Sequence, residues 1–155
     1  MNKLFYLPLW FLLAGIVLAG CKKEDLSPEE QLAKDIEKIQ EYLAEKKLTA
    51  QATASGLHYI IEVQGTGGNP TINDEVTVFY KGYFLDDSVF DQTSSDPISF
   101  PLGNVIKGWQ EGIPLFKKGG KGKLFLPSVL AYGSNPPPGF PKNAVMIFDV
   151  ELVDF

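Results

Sequence analysis

Val105-Ile106-Lys107-Gly108-Trp109-Gln110-Glu111-Gly112-Ile113-Pro114-Leu115-Phe116 is the one helix candidate in residues 57–155 of this 155-residue chain. Gly108, Gly112 and Pro114 interrupt it, and so short a segment forms only with tertiary support. Everything around it reads as strand. Residues 57–63 form the first, followed by the turn-rich Gly65-Thr66-Gly67-Gly68-Asn69-Pro70. In residues 75–84 Val76, Val78 and Tyr80 fall on one face and Thr77, Phe79, Lys81 and Tyr83 on the other. Residues 121–127 and 144–155 are further strands, the last placing Met146, Phe148, Val150 and Leu152 on one side. Runs of strands with one lone helix predict an α+β domain over residues 57–155, an antiparallel sheet wrapped on that helix.

Upstream of this domain, residues 49–56 are rich in Ala, Thr and Ser and read as a linker. Before it, Ser27-Pro28-Glu29-Glu30 signals a helix start: Ser27 caps, Pro28 suits the first helical position, and Glu30 completes a capping box. Leu32, Ile36, Ile39 and Leu43 follow in one stripe, and Lys46-Lys47 sit in the closing turn. The pattern predicts an amphipathic helix over residues 28–48, about five turns at 3.6 residues each. Its stripe allows two arrangements: a short coiled coil making a homodimer, or a spacer docked on its own domain. Docking is favoured, because the stripe is shorter than the roughly three to four heptads that define a coiled coil.

At the beginning, Lys3 precedes sixteen uncharged residues, 4–19, which end in small residues just before Cys21. This is the pattern of a signal peptide over residues 1–20. With Pro8 inside, the run falls short of the roughly 20 apolar residues that a membrane-spanning helix needs. Leu18-Ala19-Gly20-Cys21 resembles the lipobox of bacterial lipoproteins, in which the leader is cut before the cysteine and the cysteine carries lipid. That resemblance implies a chain anchored in the bacterial cell envelope through acyl groups such as palmitate on Cys21, each buried methylene contributing about 0.8 kcal/mol. Residues 21–56 then comprise lipidated tether, helix and linker. Lys22-Lys23-Glu24-Asp25 resembles the lysine-then-acid tags of some outer-membrane lipoproteins of the Bacteroidota, although any solvated tether looks similar.

Composition narrows the chemistry. Fourteen cations, all lysine, stand against nineteen acids for a net charge of −5. Without arginine for bidentate phosphate or base-edge contacts, nucleic acid is not expected as a partner. One cysteine and one histidine cannot assemble a Cys/His zinc site, a disulfide framework or a nucleophile-base pair. Gly119-Gly120-Lys121-Gly122-Lys123 runs into Leu124 where a nucleotide-binding loop needs Ser or Thr and a helix. His58 lies on a strand without a visible partner and reads as structural. The expectation is a site with no metal and no cofactor. Fourteen aromatics in residues 57–155 exceed what a small core needs and predict an aromatic pocket. One reaction needs little more: rotation about an X-Pro amide, whose barrier of about 18–20 kcal/mol comes from lost resonance with no bond broken.

Tyr80-Lys81-Gly82, Val89-Phe90-Asp91, Val105-Ile106-Lys107-Gly108-Trp109-Gln110-Glu111-Gly112, Ala131-Tyr132-Gly133 and Ile147-Phe148-Asp149-Val150-Glu151-Leu152 resemble, in order and spacing, the FKBP-type peptidyl-prolyl cis-trans isomerases, or rotamases. The resemblance implies a twisted antiparallel sheet curled around one short helix. It implies Trp109 as the pocket floor, with Tyr80, Phe90 and Phe148 as walls. Val105 and Ile106 fall at the edge, where the Ile106 N–H holds a substrate carbonyl, and Ile98 and Phe140 join the substrate-binding rim. Tyr132 becomes the phenol donor, and Asp91 the pocket carboxylate bonded to Tyr80. Proline-containing polypeptide clients follow as partners, with an apolar residue before proline, and assistance to the folding of envelope proteins as the role. Phe140-Pro141-Lys142 replaces the family's frequent Ile-Pro-Pro, Pro136-Pro137-Pro138-Gly139 stiffens the preceding loop, and Lys107 stands where arginine is frequent. The rim departures leave a macrolide ligand and the preference around proline open. Two other readings stand beside catalysis: a non-catalytic prolyl-binding module, and a purely structural lipoprotein.

Overall fold

The computed structural model describes residues 26–155; the leader and Cys21 lie outside the described residues. The first element, α1 (Pro28–Glu45), begins as its sequence dictates. Ser27 Oγ accepts from the Glu30 N–H at 3.2 Å and Glu30 Oε2 accepts from the Ser27 N–H at 2.9 Å, so two N-terminal amides are satisfied reciprocally. The helix stops three residues before the expected end at 48. Lys47 adopts a left-handed φ of 56°, the Lys47 N–H bonds the Ala44 carbonyl, and the Leu48 N–H reaches back to the Leu43 carbonyl at 2.8 Å. That pair of bonds closes the helix with a lysine where glycine is usual.

Seven strands follow: β1 (Gln51–Ala52), β2 (His58–Val63), β3 (Glu75–Tyr83), β4 (Val89–Gln92), β5 (Ile98–Pro101), β6 (Lys121–Leu126) and β7 (Met146–Asp154). They form one antiparallel sheet in the order β1-β2-β6-β7-β3-β4, with β5 also on β3. The segment read as a linker thus contains a strand: Gln51 and Ala52 pair with Tyr59 and His58, covering the first two residues of the open edge of β2. Two residues are too few to show alternation. β4 and β5 are four residues each and share one edge of β3, β5 along Glu75–Val78 and β4 along Lys81–Tyr83.

Period-two alternation sends Val76, Val78, Leu124, Leu126, Phe148, Val150 and Leu152 to the inner face, all buried in one cluster. The lone helix of the domain, α2 (Lys107–Gly112), lies against that face and continues as a 3-10 turn, Ile113–Leu115. Its glycines are what let it approach. A Cβ on Gly108 would stand 2.4 Å from Leu126 Cδ2, and one on Gly112 2.6 Å from Leu124 Cδ1. Residues that weaken the isolated helix therefore make its docking close.

The outer face carries Tyr83, Phe125 and Ile147, which with Val145 cluster against Ile39, Tyr42 and Leu43 of α1. The amphipathic helix docks on its own domain. Ile39 and Leu43 of the expected stripe are buried, whereas Leu32 and Ile36 are half-buried beside the Gly56 turn. The helix is rolled so that Gln31, Asp35 and Tyr42 also face inward.

Candidate functional site

β3, β4, β5, the start of α2, the β6–β7 loop and β7 converge on one cavity of about 550 Å³. Tyr80 enters from β3, Phe90 and Asp91 from β4, and Ile98 from β5. Val105, Ile106 and Trp109 come from the entrance of α2, Tyr132 and Phe140 from the long loop, and Phe148 from β7. All ten residues singled out in the sequence line this cavity. Phe100, Asn104 and Met146 line it as well and were not anticipated. The alternation that puts Ile98 on this face also puts Phe100 there, and Met146 shares the side of Phe148; Asn104 carries no such signal. His58 is buried away from the cavity, its Nδ1 2.9 Å from the Gly56 carbonyl.

The walls are a continuous aromatic chain. The Trp109 ring meets Tyr80 edge-on at 5.3 Å and Phe148 edge-on at 5.1 Å, and Phe100 leans on it at 5.5 Å. Phe148 passes contact to Phe90 at 5.6 Å, Phe90 to Phe140 at 5.2 Å, and Phe140 to Tyr132 at 5.7 Å. Edge-to-face contacts of this kind hold rings in fixed orientations. Gly82 makes room for two of them, since a Cβ there would lie 2.4 Å from Phe90 Cε2 and 2.9 Å from Phe148 Cε1.

Few polar groups enter, and most are held. The Tyr80 hydroxyl donates to the Asp91 carboxylate. Desolvation first, and the bond to Asp91 second, push that phenol well above its ordinary pKa, so it stays a donor through the range in which a free phenol ionises. Thr93 fixes the Tyr80 backbone, its Oγ1 accepting from the Tyr80 N–H at 3.1 Å and its own N–H donating to the Tyr80 carbonyl at 3.0 Å. Gln110 Nε2 donates to the carbonyls of Val105 at 2.7 Å and Gly103 at 3.1 Å, which sets the turn into α2. Trp109 Nε1 is the buried side-chain polar atom without a partner among the described residues. An orphan of this kind ordinarily costs about 1–3 kcal/mol. Tyr132 is 39% exposed and Ile98 43%, so both stand at the rim, where a bound chain would pass.

Such a cavity can hold a small apolar ring among aromatic faces while presenting a phenol and backbone groups at its edge. Comparison with known proteins accords with that chemistry. The sequence model of the FKBP-type peptidyl-prolyl cis-trans isomerases matches residues 67–153. The FKBP-type isomerase FkpA of Aeromonas hydrophila is 47% identical over 120 residues, 75% of this chain and 45% of that protein. FkpA of Escherichia coli is 44% identical over 111 residues, 70% of this chain and 41% of that protein. The chain therefore spans less than half the length of these relatives. The crystal structure of Escherichia coli FkpA superimposes with a TM-score of 0.71 at 41% identity, covering 81% of this chain and 61% of that one. A peptidyl-prolyl cis-trans isomerase from Pseudomonas syringae superimposes with a TM-score of 0.68 at 29% identity, covering 84% of this chain and 96% of that one. With its sheet, its helix and its sequence all matching, the chain belongs to the FKBP-type peptidyl-prolyl cis-trans isomerase family.

Proposed function

We propose that the chain catalyses cis/trans rotation about X-Pro bonds of polypeptide clients in this cavity. The observation that carries the reading is the convergence of Tyr80, Phe90, Asp91, Trp109, Tyr132 and Phe148 on one aromatic space from five separate segments. The prolyl ring sits over Trp109 between Tyr80, Phe90 and Phe148, with Ile98, Val105 and Phe140 at the margin. The twisted amide is less polar than the planar one, so an apolar enclosure favours the transition state over the ground state. The Ile106 N–H and the Tyr132 hydroxyl hold carbonyls flanking the bond, and Asp91 fixes the Tyr80 phenol. Donors aimed where a rotated carbonyl arrives act differentially, which is what raises a rate. No covalent intermediate is needed.

The test is the exchange of an apolar-X-Pro peptide by the purified full chain, beside Trp109→Leu and Asp91→Ala variants shown by circular dichroism to be folded. Acceleration well beyond the uncatalysed tens to hundreds of seconds, lost in both variants, supports catalysis at this site. A folded wild type that binds the peptide without accelerating exchange is a prolyl-binding module instead.

The location belongs to the same proposal. Leu18-Ala19-Gly20-Cys21 supports a lipid on Cys21 and a site of work at the bacterial envelope, on clients folding there. Mass spectrometry of the N-terminal peptide, and loss of membrane association in Cys21→Ala, test it.

A further inference from the structure

Asp35 is fully buried, and it is not an economical way to dock a helix. A buried carboxylate needs partners for its oxygens, whereas an apolar side chain would fill the same space without them. Its partners are specific. Oδ2 accepts from the Ser128 N–H at 2.8 Å and from the Ser128 hydroxyl; Oδ1 accepts from Gln31 Nε2 at 2.7 Å, with Lys38 Nζ at 3.4 Å. Ser128 is itself fully buried and opens the 3-10 turn Ser128–Leu130. Its carbonyl accepts from the Ala131 N–H at 2.9 Å and the Gly133 N–H at 2.8 Å. Both neighbours of Tyr132 are thus tied to the one residue that Asp35 holds.

A second attachment lies at the turn between β3 and β4. Tyr42 donates to Asp87 Oδ1 at 2.7 Å and Lys46 to Asp87 Oδ2 at 2.6 Å. Asp87 sits with φ 63° in the turn that leads to Phe90 and Asp91, and the Phe84 ring of that turn packs on Phe90 at 4.8 Å. One helix outside the sheet is therefore fastened to two separate loops that deliver Phe90, Asp91 and Tyr132 to the cavity.

We propose that Asp35 is a positioning residue of the isomerase site: through Ser128 it sets the bend that carries Tyr132, which makes α1 a part of the pocket's support. The proposal rests on the isomerase reading, and its test separates the two. In the full chain, Asp35→Ala is expected to lower kcat/KM at least about fivefold, well inside the hundredfold that a 1 Å misplacement can cost. Asp35→Asn, which keeps an acceptor for the Ser128 N–H, is expected to recover most of that loss. Glu37→Gln on the exposed side of α1 is expected to change nothing.

The deciding measurement is the double-mutant cycle with Tyr132→Phe. If Asp35 acts through Tyr132, the two losses do not add; a helix that merely stabilises the fold gives additive losses. Additive losses, or an Asp35→Ala chain as active as wild type, overturn the proposal. Should Asp35→Ala fail to fold, the cycle is run with Ser128→Ala, and additivity there overturns it equally. An inactive wild type overturns the isomerase reading alone. The Tyr132 ring resonances then decide the positioning role, expected to shift in Asp35→Ala and not in Glu37→Gln, and unshifted resonances overturn it.

Discussion

The two faces of the sheet solve the same packing problem differently. On the outer face Phe125 and Ile147 are fully buried beneath Ile39 of α1, and the polar groups at the margin are paired, Tyr42 with Asp87 and Tyr83 with Asp149. On the inner face the end near Ile113, Phe116 and Leu124 is equally full, but the end near Trp109 opens into the cavity and leaves an indole N–H without a partner among the described residues. A face that closes with its polar groups satisfied is a support. One that keeps aromatic rings around unfilled space is where the proposed function places binding.

Four expectations would break or sharpen this contrast. The largest effect belongs to the outer face: Phe125→Ala should destabilise the fold by about 3–5 kcal/mol, read as a lowered denaturant midpoint, whereas Phe90→Ala, at the half-exposed wall, should cost less stability and more kcat/KM. The reverse ranking would mean that the faces are not divided in this way. Next, Gly82→Ala pushes a methyl into the Phe90 and Phe148 rings. Overpacking of this sort costs about 1–3 kcal/mol, and peptide affinity should fall in step because the displaced rings are the walls. Unchanged affinity would show that these rings do not shape the bound ligand.

A smaller effect follows from Tyr80→Phe, which leaves the ring and removes the hydroxyl that holds Asp91. That bond lies at an exposed edge, so its loss should change the thermal midpoint little and appear chiefly as a reduction in kcat/KM. Because burial raises the Tyr80 pKa, its neutral form persists through the ordinary phenol range and is lost only as pH rises through the higher folded value. Wild-type kcat/KM should therefore show no alkaline limb from Tyr80 at pH about 10.

The smallest effect is at Asp87, whose carboxyl is held below its usual range, first by Lys46 and then by Tyr42. A depressed carboxylate stabilises the fold above its unfolded pKa and loses that contribution as pH falls through the folded one. The difference in thermal midpoint between wild type and Asp87→Asn should therefore be full at neutral pH and shrink below pH about 4. A difference that persists in stronger acid would mean that the turn, with its left-handed Asp87, carries the effect rather than the charge.

The long strands and the start of α1 were legible because each rests on local, repeated chemistry: nine residues of alternation in β3, four consecutive capping residues at Ser27. The candidate site residues other than Ile98 and Phe140 were singled out through five motif blocks, not through periodicity, which cannot tell Trp109 in a floor from Trp109 in a core. What escaped notice depended on pairing with another segment rather than on a pattern of the segment's own. β1, β4 and β5 exist because β2 and β3 offer them an edge. Asp35 is the clearest case. On a helical wheel it borders the stripe of Leu32 and Ile39 and reads as a solvated acid, and only Ser128, 93 residues away, gives it a reason to be inside.

The shortness of β1, β4 and β5 bears on the proposed work on polypeptide clients. Extended polypeptide pairs readily with any long row of open strand edge. Here one margin of the sheet ends in a two-residue strand, and the other is split between two strands of four residues, among the described residues. Neither margin presents more than a few residues of open edge, the Ile60–Val63 stretch of β2 beyond β1 included. On the proposed function, a client would meet an aromatic cavity rather than an edge that recruits it into a growing cross-β assembly.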